Sequence, residues 1–440
     1  MIKRLLIANR GEIAVRIVRA CREMGVESVA VYSTADRDGL HVRMADAAVC
    51  IGPPTPAKSY LVKENLIEAA VKTGCEAVHP GVGFLSESAV FADAVTAAGL
   101  IFIGPSAGVL ALLGDKVKAR ETARRFGLPI TPGTDGAVST LEEARRAVEA
   151  LGLPVIVKAA AGGGGKGMRV VREGSDLAEC LTIAIREAQA NFADGRVFIE
   201  RYVENPRHVE LQLLADGTGA VAALGERDCS VQRNHQKLIE ESPSTAVSDD
   251  MRGRMKAGAV EMFRALGYAG AGTVEFLVEG DRFYFMEVNA RVQVEHPVSE
   301  LVSGVDIIRE QILACACGKM GVDGEAVVVR GAAIECRINA LAPGRVATLD
   351  VPGGPGVRFD SCLYAGCFVS PYYDAMAAKL IVHSPARDMA IERMLRALRE
   401  LRVEGIKTNR DEQIAIVSHP AFRSGQFDTS FIERLEEGHG

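Results

Sequence analysis

The stretch 155–171, VIVKAAAGGGGKGMRVV, constrains the local fold more than any other part of the sequence. Two runs rich in β-branched residues, 155–157 and 170–171, flank four consecutive glycines at 162–165. Two such runs joined by a short loop predict a β-hairpin. Because glycine lacks a Cβ, the loop presents bare backbone N–H groups that can approach a phosphate closely. The sequence therefore predicts a flap that closes over phosphates, and a mobile hairpin tip without a ligand is the plainer alternative.

This loop differs from the phosphate loop of nucleoside triphosphatases, which reads G-x-x-x-x-G-K-[ST] and opens a helix. Gly167 stands where Ser or Thr is required, and a strand rather than a helix is predicted to follow. The first strand–helix turn, at 9–12, lacks G-x-G-x-x-G, so a dinucleotide site is not supported either.

Composition limits the class of protein. The chain has 440 residues, which predicts about three domains. It is 48% hydrophobic and 25% charged, as in soluble globular proteins, and its net charge of -6 gives no general attraction to nucleic acid or anionic membranes. No apolar run approaches the length of a membrane span or a signal peptide. The ten cysteines form no CxxC pair, so we expect reduced, buried thiols in a cytoplasmic protein, without a zinc site.

The order of predicted elements gives an α/β multidomain fold. Residues 1–113 alternate strand and helix, which predicts a doubly wound parallel sheet. Residues 114–330 form a second domain, with the glycine flap in a small unit at about 134–203 and antiparallel strands from 208 to 285. Thr140 and Glu143 match a capping box at a helix start. Residues 331–440 form a mixed α/β domain that begins with a strand at 334–338.

The segment 272–296 carries the strongest chemical signal. A hairpin centred on Asp281 places Glu275 opposite Glu287. Like charges directly across two strands are destabilising, and a divalent cation bound between them removes that penalty. Carboxylate oxygens suit magnesium or manganese, so the pair predicts a metal site.

The residues after Glu287 alternate in polarity. Polar side chains occupy 289, 291, 293 and 295, and apolar ones occupy 288, 290, 292 and 294. If this segment is extended, one face carries a row of amide, guanidinium, amide and carboxylate groups. An ordinary solvated strand face is the alternative, although such faces favour Lys, Thr and Glu over this mixture.

Strings from end to end resemble the biotin carboxylases of the ATP-grasp superfamily, over about residues 2–435. They include IANRGEIAVRI, HPGVGFLSES, VIVKAAAGGGGKGMRVV, ENPRHVELQ, ERDCSVQRNHQK, EVNARVQVEHPVSE, IECRINA and YYDAMAAKLIVH. The resemblance implies an N-terminal doubly wound domain, an ATP-grasp domain with a mobile lid, and a C-terminal domain that completes the site.

The resemblance also implies roles for individual residues. ATP is expected at Lys116, Lys158, Gly163, Gly164, Gly165, Gly167, Glu200, Val203, His208, Gln232 and His235. The metal, Mg²⁺ or Mn²⁺, is expected at Glu275, Glu287 and Asn289. Bicarbonate is expected at Lys237, Arg291, Gln293, the backbone of Val294, and Glu295, and the biotin ureido oxygen at Arg337. The expected catalytic residues are Lys237, Arg291, Glu295 and Arg337.

The implied activity is ATP-dependent carboxylation of biotin, through carboxyphosphate, on a separate carrier protein. This is the first half-reaction of acetyl-CoA carboxylase or a related acyl-CoA carboxylase, and it serves fatty acid biosynthesis. The implied partners are a biotin carboxyl carrier protein or domain, a carboxyltransferase subunit and a second copy of the chain. One rival is another ATP-grasp ligase, of the carboxylate–amine or carbamoyl-phosphate type. The other is a non-catalytic nucleotide-binding subunit, suggested by Val82, where the family usually has Tyr, and by a shortened segment after Asn339.

Overall fold

The computed structural model describes residues 1–160, 168–192 and 194–438. The N-terminal part is a parallel five-stranded sheet in the order β3-β2-β1-β4-β5. Its strands are β1 (Arg4–Ile7), β2 (Glu27–Ser33), β3 (Ala47–Gly52), β4 (Ala77–His79) and β5 (Ile101–Phe102), and its helices are α1 (Gly11–Glu23), α2 (Leu40–Met44), α3 (Lys63–Lys72), α4 (Ala89–Ala97) and α5 (Ala107–Gly114). The first strand lies in the centre and the chain winds outward on both sides, which confirms the predicted doubly wound sheet.

The turn after β1 holds the edge of this sheet together. Gly11 begins α1 with a φ of +67°, a left-handed conformation that favours glycine. The amide of Asn9 donates to the carbonyls of Pro80 and Val82 at 2.8 Å each. The loops that follow β1 and β4 are thereby joined, on the side of the sheet where the parallel strands end.

The next unit carries the glycine hairpin. After α6 (Lys116–Arg125) come α7 (Leu141–Leu151), β6 (Val155–Ala159), β7 (Met168–Val171), α8 (Leu177–Phe192) and β8 (Val197–Arg201). Strands β6 and β7 pair antiparallel, with Val155 opposite Val171, which confirms the hairpin. The capping box of Thr140 and Glu143 is present at the start of α7. Helix α6 begins at Lys116, and Asp115 is its N-cap, whose side chain accepts from the backbone N–H of Val117.

An eight-stranded sheet forms the centre of the molecule, in the order β13-β12-β9-β10-β11-β14-β19-β17. Its strands are β9 (Arg207–Asp216), β10 (Val221–Arg233), β11 (Gln236–Ser242), β12 (Ala269–Glu279), β13 (Arg282–Asn289), β14 (Ala332–Asn339), β17 (Val357–Ser361) and β19 (Met376–Ser384). Strand β14 pairs antiparallel with β11, so the sheet runs continuously across the boundary predicted at 330/331. The predicted domain limits stay predictions.

The remaining elements lie around this sheet. The helices are α9 (Asp249–Ala265), α10 (His296–Ser303), α11 (Ile307–Cys317), α12 (Arg387–Glu400), α13 (Arg410–Ser418), α14 (Pro420–Ser424) and α15 (Phe431–Glu436). The short strands are β15 (Gly344–Arg345), β16 (Thr348–Asp350), β18 (Phe368–Val369) and β20 (Arg402–Glu404). No helix among the described residues is long and apolar enough to cross a membrane.

The two faces of strands β11, β14 and β19 differ in chemistry. One face is apolar, and Ile334, Cys336 and Leu380 pack there in one core with residues of α12. The alternate residues of the same strands, among them Glu335, Arg337 and Lys379, point to the opposite face, towards α10. A strand with charges on one buried face and hydrocarbon on the other places those charges between two packed layers. That layer is where the candidate site lies.

The hairpin of β12 and β13 agrees with the predicted register of Glu275 and Glu287, but by a different route. Glu279 pairs with Arg282, so the turn is Gly280–Asp281 and is not centred on Asp281. A register shift between Glu275 and Phe276 then adds one residue to β13. This β-bulge restores the direct opposition of Glu275 and Glu287.

Candidate active site

Lys237 lies at the centre of the charged layer. Its Nζ is 2.6 Å from Glu295 Oε1, 2.8 Å from Glu210 Oε2 and 3.3 Å from Glu275 Oε1. All three carboxylates are buried. Burial lowers the pKa of Lys237, but the surrounding Cys229 and carboxylates outweigh it and hold the pKa well above its usual value. Lys237 is therefore a fixed positive charge shared by residues from three different strands and loops.

Arg227 orients the polar side chains around Lys237. Its guanidinium is fully buried and donates to Glu210 Oε1 at 2.5 Å, Gln212 Oε1 at 2.6 Å and Gln293 Oε1 at 2.7 Å. Because Gln293 also donates to Glu275 Oε1 at 2.9 Å, the amide is oriented at both ends. A planar guanidinium with all its donors used holds its neighbours in one geometry.

Arg337 reaches the same place from β14. Its Nε donates to Glu240 Oε1 at 2.6 Å and its Nη2 to Glu295 Oε2 at 3.0 Å. Burial and the carboxylate of Glu210 raise the pKa of Glu295. The cations Lys237, Arg337 and Arg227 lower it by more, so the pKa lies below its usual value. Glu295 is thus an ionised carboxylate between two cations. Lys237, Glu240, Glu295 and Arg337 are called the acceptor half of the site below.

Lys379 ties this half to the N-terminal part. Its Nζ donates to the carbonyl of Val294 at 2.7 Å and lies 3.2 Å from Glu12 Oε2 on α1. Its side chain is fully buried, and Val294 is thereby fixed between β19 and the start of α10. The backbone carbonyl of Val294 therefore already accepts a hydrogen bond, from Lys379.

Two lysines lie beside this half and form, with their partners, the nucleotide half of the site: Lys116, Lys158, Glu200 and Glu287. Lys116 Nζ is 3.1 Å from Glu287 Oε2, and Lys158 Nζ is 2.5 Å from Glu200 Oε2. Burial and the neighbouring cations Lys116 and Arg120 lower the pKa of Lys158 to about 7. Glu287 opposes this lowering only in part. Glu200, which contacts Lys158, also contacts Arg120.

The carboxylates expected at the metal are in different environments. Glu275 accepts from Asn289 Nδ2 at 2.7 Å, and its other oxygen is 2.9 Å from His208 Nε2. Burial raises the pKa of Glu275, but Lys237 and His208 hold it well below its usual value. Glu287 is partly exposed and its carboxylate contacts Lys116. The donor set consists of hard oxygens on opposed strands, which fits a magnesium or manganese ion, with Glu287 the more open ligand.

The other expected ATP residues surround the nucleotide half or lie at its rim. His208 is buried on β9, and burial lowers its pKa but Glu275 outweighs this and raises it. Val203 is buried between β8 and β9. Gln232 pairs in register with Lys237, and His235 is exposed in the β10–β11 turn with a φ of +63°. The structure thus brings Gln232 beside Lys237, whereas His235 forms no side-chain hydrogen bond or ion pair with the site residues that the structure describes. Gly163, Gly164, Gly165 and Gly167 lie outside the described residues.

The prediction of one extended polar face through 289–295 is wrong. Strand β13 ends at Asn289, and the chain turns before α10 begins at His296. Glu87 lies at this point: its carboxylate accepts the backbone N–H of Ala290 at 3.0 Å, which is then not available to extend the ladder, and also the side-chain Nε of Arg291 at 2.9 Å. Arg291 Nη2 still donates to Asn289 Oδ1 at 3.0 Å. The polar residues converge through turns rather than along a strand.

Three segments match known families. Residues 1–110 match the biotin carboxylase N-terminal domain, 115–320 the carbamoyl-phosphate synthase L chain ATP binding domain, and 335–434 the biotin carboxylase C-terminal domain. Biotin carboxylase 1 of Bacillus subtilis is 50% identical over 446 residues, which cover 99% of each protein.

Solved structures agree with this. A biotin carboxylase from Campylobacter jejuni, in a β-γ-ATP complex, has a TM-score of 0.96 at 44% identity over 99% of both chains. The biotin carboxylase domain of Hydrogenobacter thermophilus 2-oxoglutarate carboxylase, a dimer with MgADP, ADP and bicarbonate, also has a TM-score of 0.96, at 41% identity over 100% of this chain and 99% of that one. The chain belongs to the biotin carboxylase family. It is therefore an enzyme, an ATP-grasp carboxylase, and the fold class and the resemblance seen in the sequence are confirmed.

Five residues that orient the side chains of the site were not predicted from the sequence. These are Glu87, Glu210, Arg227, Glu240 and Lys379. A signal for Glu210 was present, because Glu210 and Gln212 alternate with Val209, Leu211 and Leu213 in a run too apolar for a solvated strand. A polar residue at every second position of such a strand indicates a buried polar face.

Among the described residues, two clusters contain side chains that can bind a metal ion. One consists of His208, Glu210 and Glu275, and the other of Glu210, Cys229 and Glu295. Both contain Glu210, which is fully buried and whose two carboxylate oxygens bind Arg227 and Lys237. We therefore assign no second metal to these groups. The ten cysteines are all unpaired, as predicted, but the prediction that they are buried holds for only four. Those four are Cys21, Cys75, Cys229 and Cys336, the half-buried ones are Cys180, Cys315, Cys362 and Cys367, and Cys50 and Cys317 are exposed.

Proposed function

We propose that the protein carboxylates biotin with bicarbonate and ATP, on a biotin carrier protein or domain, as the first half-reaction of an acyl-CoA carboxylase. The observation that carries the proposal is the convergence of Lys237, Glu295 and Arg337 from three separate segments at one buried position, next to the lysine pair of the nucleotide half. Glu295 is a carboxylate between two fixed cations, and it lies beside two lysines that can bind phosphate. This arrangement suits the transfer of carbon dioxide from carboxyphosphate to the weakly acidic nitrogen of biotin.

The nucleotide half supplies the ATP site of this proposal. Lys116 and Lys158 are compact charges suited to phosphate oxygens, and each has one carboxylate partner that a phosphate can replace. The glycines at 163–165 and 167, which lie outside the described residues, are proposed to bind the phosphates through their backbone N–H groups. Glu200 and Val203 are assigned to the adenine, and His208, Gln232 and His235 to the ribose. Glu275, Glu287 and Asn289 hold the magnesium or manganese ion, which neutralises charge on the phosphates when it is bound.

The acceptor half supplies the bicarbonate and biotin sites. Lys237, Arg291, Gln293, the Val294 backbone and Glu295 surround bicarbonate. The forked guanidinium of Arg291 matches a planar carbonate, and Asn289 and Glu87 already fix its orientation. Arg337 is placed to stabilise the oxyanion that forms on the biotin ureido oxygen.

The reaction proceeds in two steps. Bicarbonate attacks the γ-phosphorus of ATP, the bond to the β-γ bridging oxygen breaks, and carboxyphosphate and ADP form. Carboxyphosphate then yields carbon dioxide and phosphate, a base removes the N1′ proton of biotin, and that nitrogen attacks the carbon dioxide. Glu295, an ionised carboxylate in the site, is a candidate for this base or for positioning it.

Partners and location are part of the proposal. A biotinylated carrier must present its biotin at Arg337, and a carboxyltransferase must consume the carboxybiotin. The Hydrogenobacter thermophilus domain is a dimer, which supports a homodimer for this chain. A cytoplasmic location, with no nucleic acid or membrane as a partner, follows from the composition.

One alternative function is supported by a specific observation. The central segment matches the family described as the carbamoyl-phosphate synthase L chain ATP binding domain, so an ATP-grasp ligase with another acceptor is the second candidate. The test is an assay with free biotin in which ADP and carboxybiotin are measured together, with and without bicarbonate. Biotin carboxylation that requires both ATP and bicarbonate supports the proposal. ADP release that biotin does not stimulate, without carboxybiotin, contradicts it and favours the rival.

A further inference from the structure

Glu335 is a buried acid that the proposed reaction leaves without a role. It lies on β14 two residues before Arg337, on the same face of the strand, and its side chain is fully buried. Both carboxyl oxygens lack a hydrogen-bond partner among the described residues. An ionised carboxylate in such a place is very unfavourable, whereas an uncharged acid is tolerated.

A second carboxyl lies directly across the sheet. Glu240 on β11 is the register partner of Glu335 on β14. Glu240 Oε1 accepts from Arg337, and its Oε2 has no recorded partner. Two like charges directly opposite each other on adjacent strands repel, so both carboxyls are not ionised together.

The charged groups around Glu335 decide which of the two holds the proton. They are Glu240 on β11, Arg337 on β14, Lys379 on β19 and Glu295 before α10. Lys379 is engaged by Glu12 and the Val294 carbonyl, and Arg337 by Glu240 and Glu295. Burial, with Glu240 and Glu295, therefore raises the pKa of Glu335 well above its usual value in spite of the two cations. Burial raises the pKa of Glu240 as well, and Arg337 opposes this. Because Glu240 has the guanidinium as its partner and Glu335 has none, Glu240 is the member that ionises first.

We propose that Glu335 is a further positioning residue for the carboxylation reaction: held as the uncharged acid behind Arg337, it leaves Glu240 and Glu295 as the two anions that orient the guanidinium. The inference rests on the proposed function, because it assigns Arg337 to the biotin step. If Glu335 loses its proton, a third carboxylate competes for the guanidinium from within the sheet and draws it away from the ureido oxygen. Carboxybiotin formation should then have an alkaline limb that bicarbonate-dependent ADP formation lacks.

The test compares pH profiles of both products in the intact enzyme. In the wild type, carboxybiotin formation falls on the alkaline side by up to about a hundredfold, the loss expected when one oxyanion donor is displaced. Glu335→Gln resembles the uncharged acid, so it retains most of the neutral-pH rate and lacks this limb. The matched control is Glu241→Gln. Glu241, on the neighbouring strand β11, is also a buried carboxyl, but it binds Arg387 on the other face of the sheet, so the profile of this variant should follow the wild type.

A second measurement reads the proton directly. The infrared difference spectrum of wild type minus Glu335→Gln should contain the C=O stretch of a protonated carboxyl at neutral pH, and the band should disappear over the same pH range as the alkaline limb. Glu335→Met, uncharged and of similar length, replaces the Gln variant if that one fails to fold.

The outcomes separate this inference from the proposed function. Identical pH profiles of wild type and Glu335→Gln, absence of the infrared band, or failure of both uncharged variants to fold while Glu241→Gln folds overturn the role of Glu335. A wild type that forms ADP but no carboxybiotin at any pH contradicts the proposed function instead, and the infrared band then still decides whether Glu335 holds its proton.

Discussion

On the nucleotide half, Lys116 and Lys158 each contact one carboxylate, Glu287 and Glu200, whereas on the acceptor half Lys237 contacts three. Glu287 is partly exposed, and the carboxylates around Lys237 are buried. A single, partly exposed ion pair such as Lys116–Glu287 exchanges partners at little cost, but a buried network of shared charges does not. The Lys158–Glu200 pair is buried, but each lysine of the nucleotide half has one carboxylate partner to exchange for phosphate. The nucleotide half is therefore built to exchange partners when phosphate arrives, and the acceptor half to keep its geometry.

The two halves of the site have different tasks in the proposed reaction. An ATP site must admit and release a large charged ligand in each turnover. Stabilisation of a developing oxyanion is strongest where the donors are already oriented and need no reorganisation. The contrast predicts that substitutions in the acceptor half damage both folding and catalysis, whereas substitutions in the nucleotide half mainly change ligand and metal dependence.

The largest effect is expected for Lys237→Met. It leaves the buried carboxylates Glu210, Glu275 and Glu295 without their common cation, and removal of one partner from a buried ion pair costs about 3–5 kcal/mol. Both products should disappear, and the midpoint of denaturation by urea should fall. Lys256→Met, at an exposed position of α9, is the control. A stable, active Lys237→Met variant would show that the network is not held by this residue.

The next effect separates two arginines of the acceptor side. Arg291→Ala should abolish both bicarbonate-dependent ADP formation and carboxybiotin formation, because Arg291 faces bicarbonate in the proposal. Arg337→Ala should lower carboxybiotin formation by about a hundredfold, the effect of one oxyanion donor, and keep slow, uncoupled ADP formation. Both products are measured in the same reaction, with the exposed Arg399→Ala as control. An equal loss of both products in Arg337→Ala would assign Arg337 to the bicarbonate or nucleotide site.

The same contrast explains how far the sequence could predict the site. The hairpin that carries Glu275 and Glu287 was predicted because turn and strand patterns are local, although their direct opposition also depends on a β-bulge that the pattern does not show. The network around Lys237 depends on long-range pairing of β9, β10, β11 and β14, which no local pattern encodes. The turn after Asn289 could not be predicted either, because it depends on Glu87, about 200 residues away along the chain, which takes the N–H of Ala290.

Glu287→Gln should give a smaller and recoverable loss. It removes one negative oxygen from a hard-cation site on the open side, so activity should fall at low magnesium and return in part at high magnesium. The measurement is the rate of ADP formation as a function of magnesium at fixed ATP. Glu279→Gln, at the far end of the same hairpin, should leave the magnesium dependence unaltered. If Glu287→Gln also leaves it unaltered, Glu287 is not a metal ligand.

The smallest effect is a proton taken up with ATP. The pKa of Lys158 is lowered to about 7 by burial and by its cationic neighbours, and a bound triphosphate raises it towards the ordinary value of 10.5. Between these values the bound form holds more protons than the free form, so ATP binding takes up protons and its affinity falls as pH rises through this window.

Calorimetry at about pH 8, in two buffers that differ in ionisation enthalpy, measures this uptake, which cannot exceed about one proton for a single lysine. Lys158→Met should bind ATP more weakly and lose the uptake, whereas Lys118→Met, exposed on α6, should retain it. Equal uptake in the wild type and in Lys158→Met would mean that Lys158 is already charged before ATP binds. The nucleotide half would then resemble the acceptor half, with its charges fixed in advance, and the contrast between the two halves would rest on solvent exposure alone.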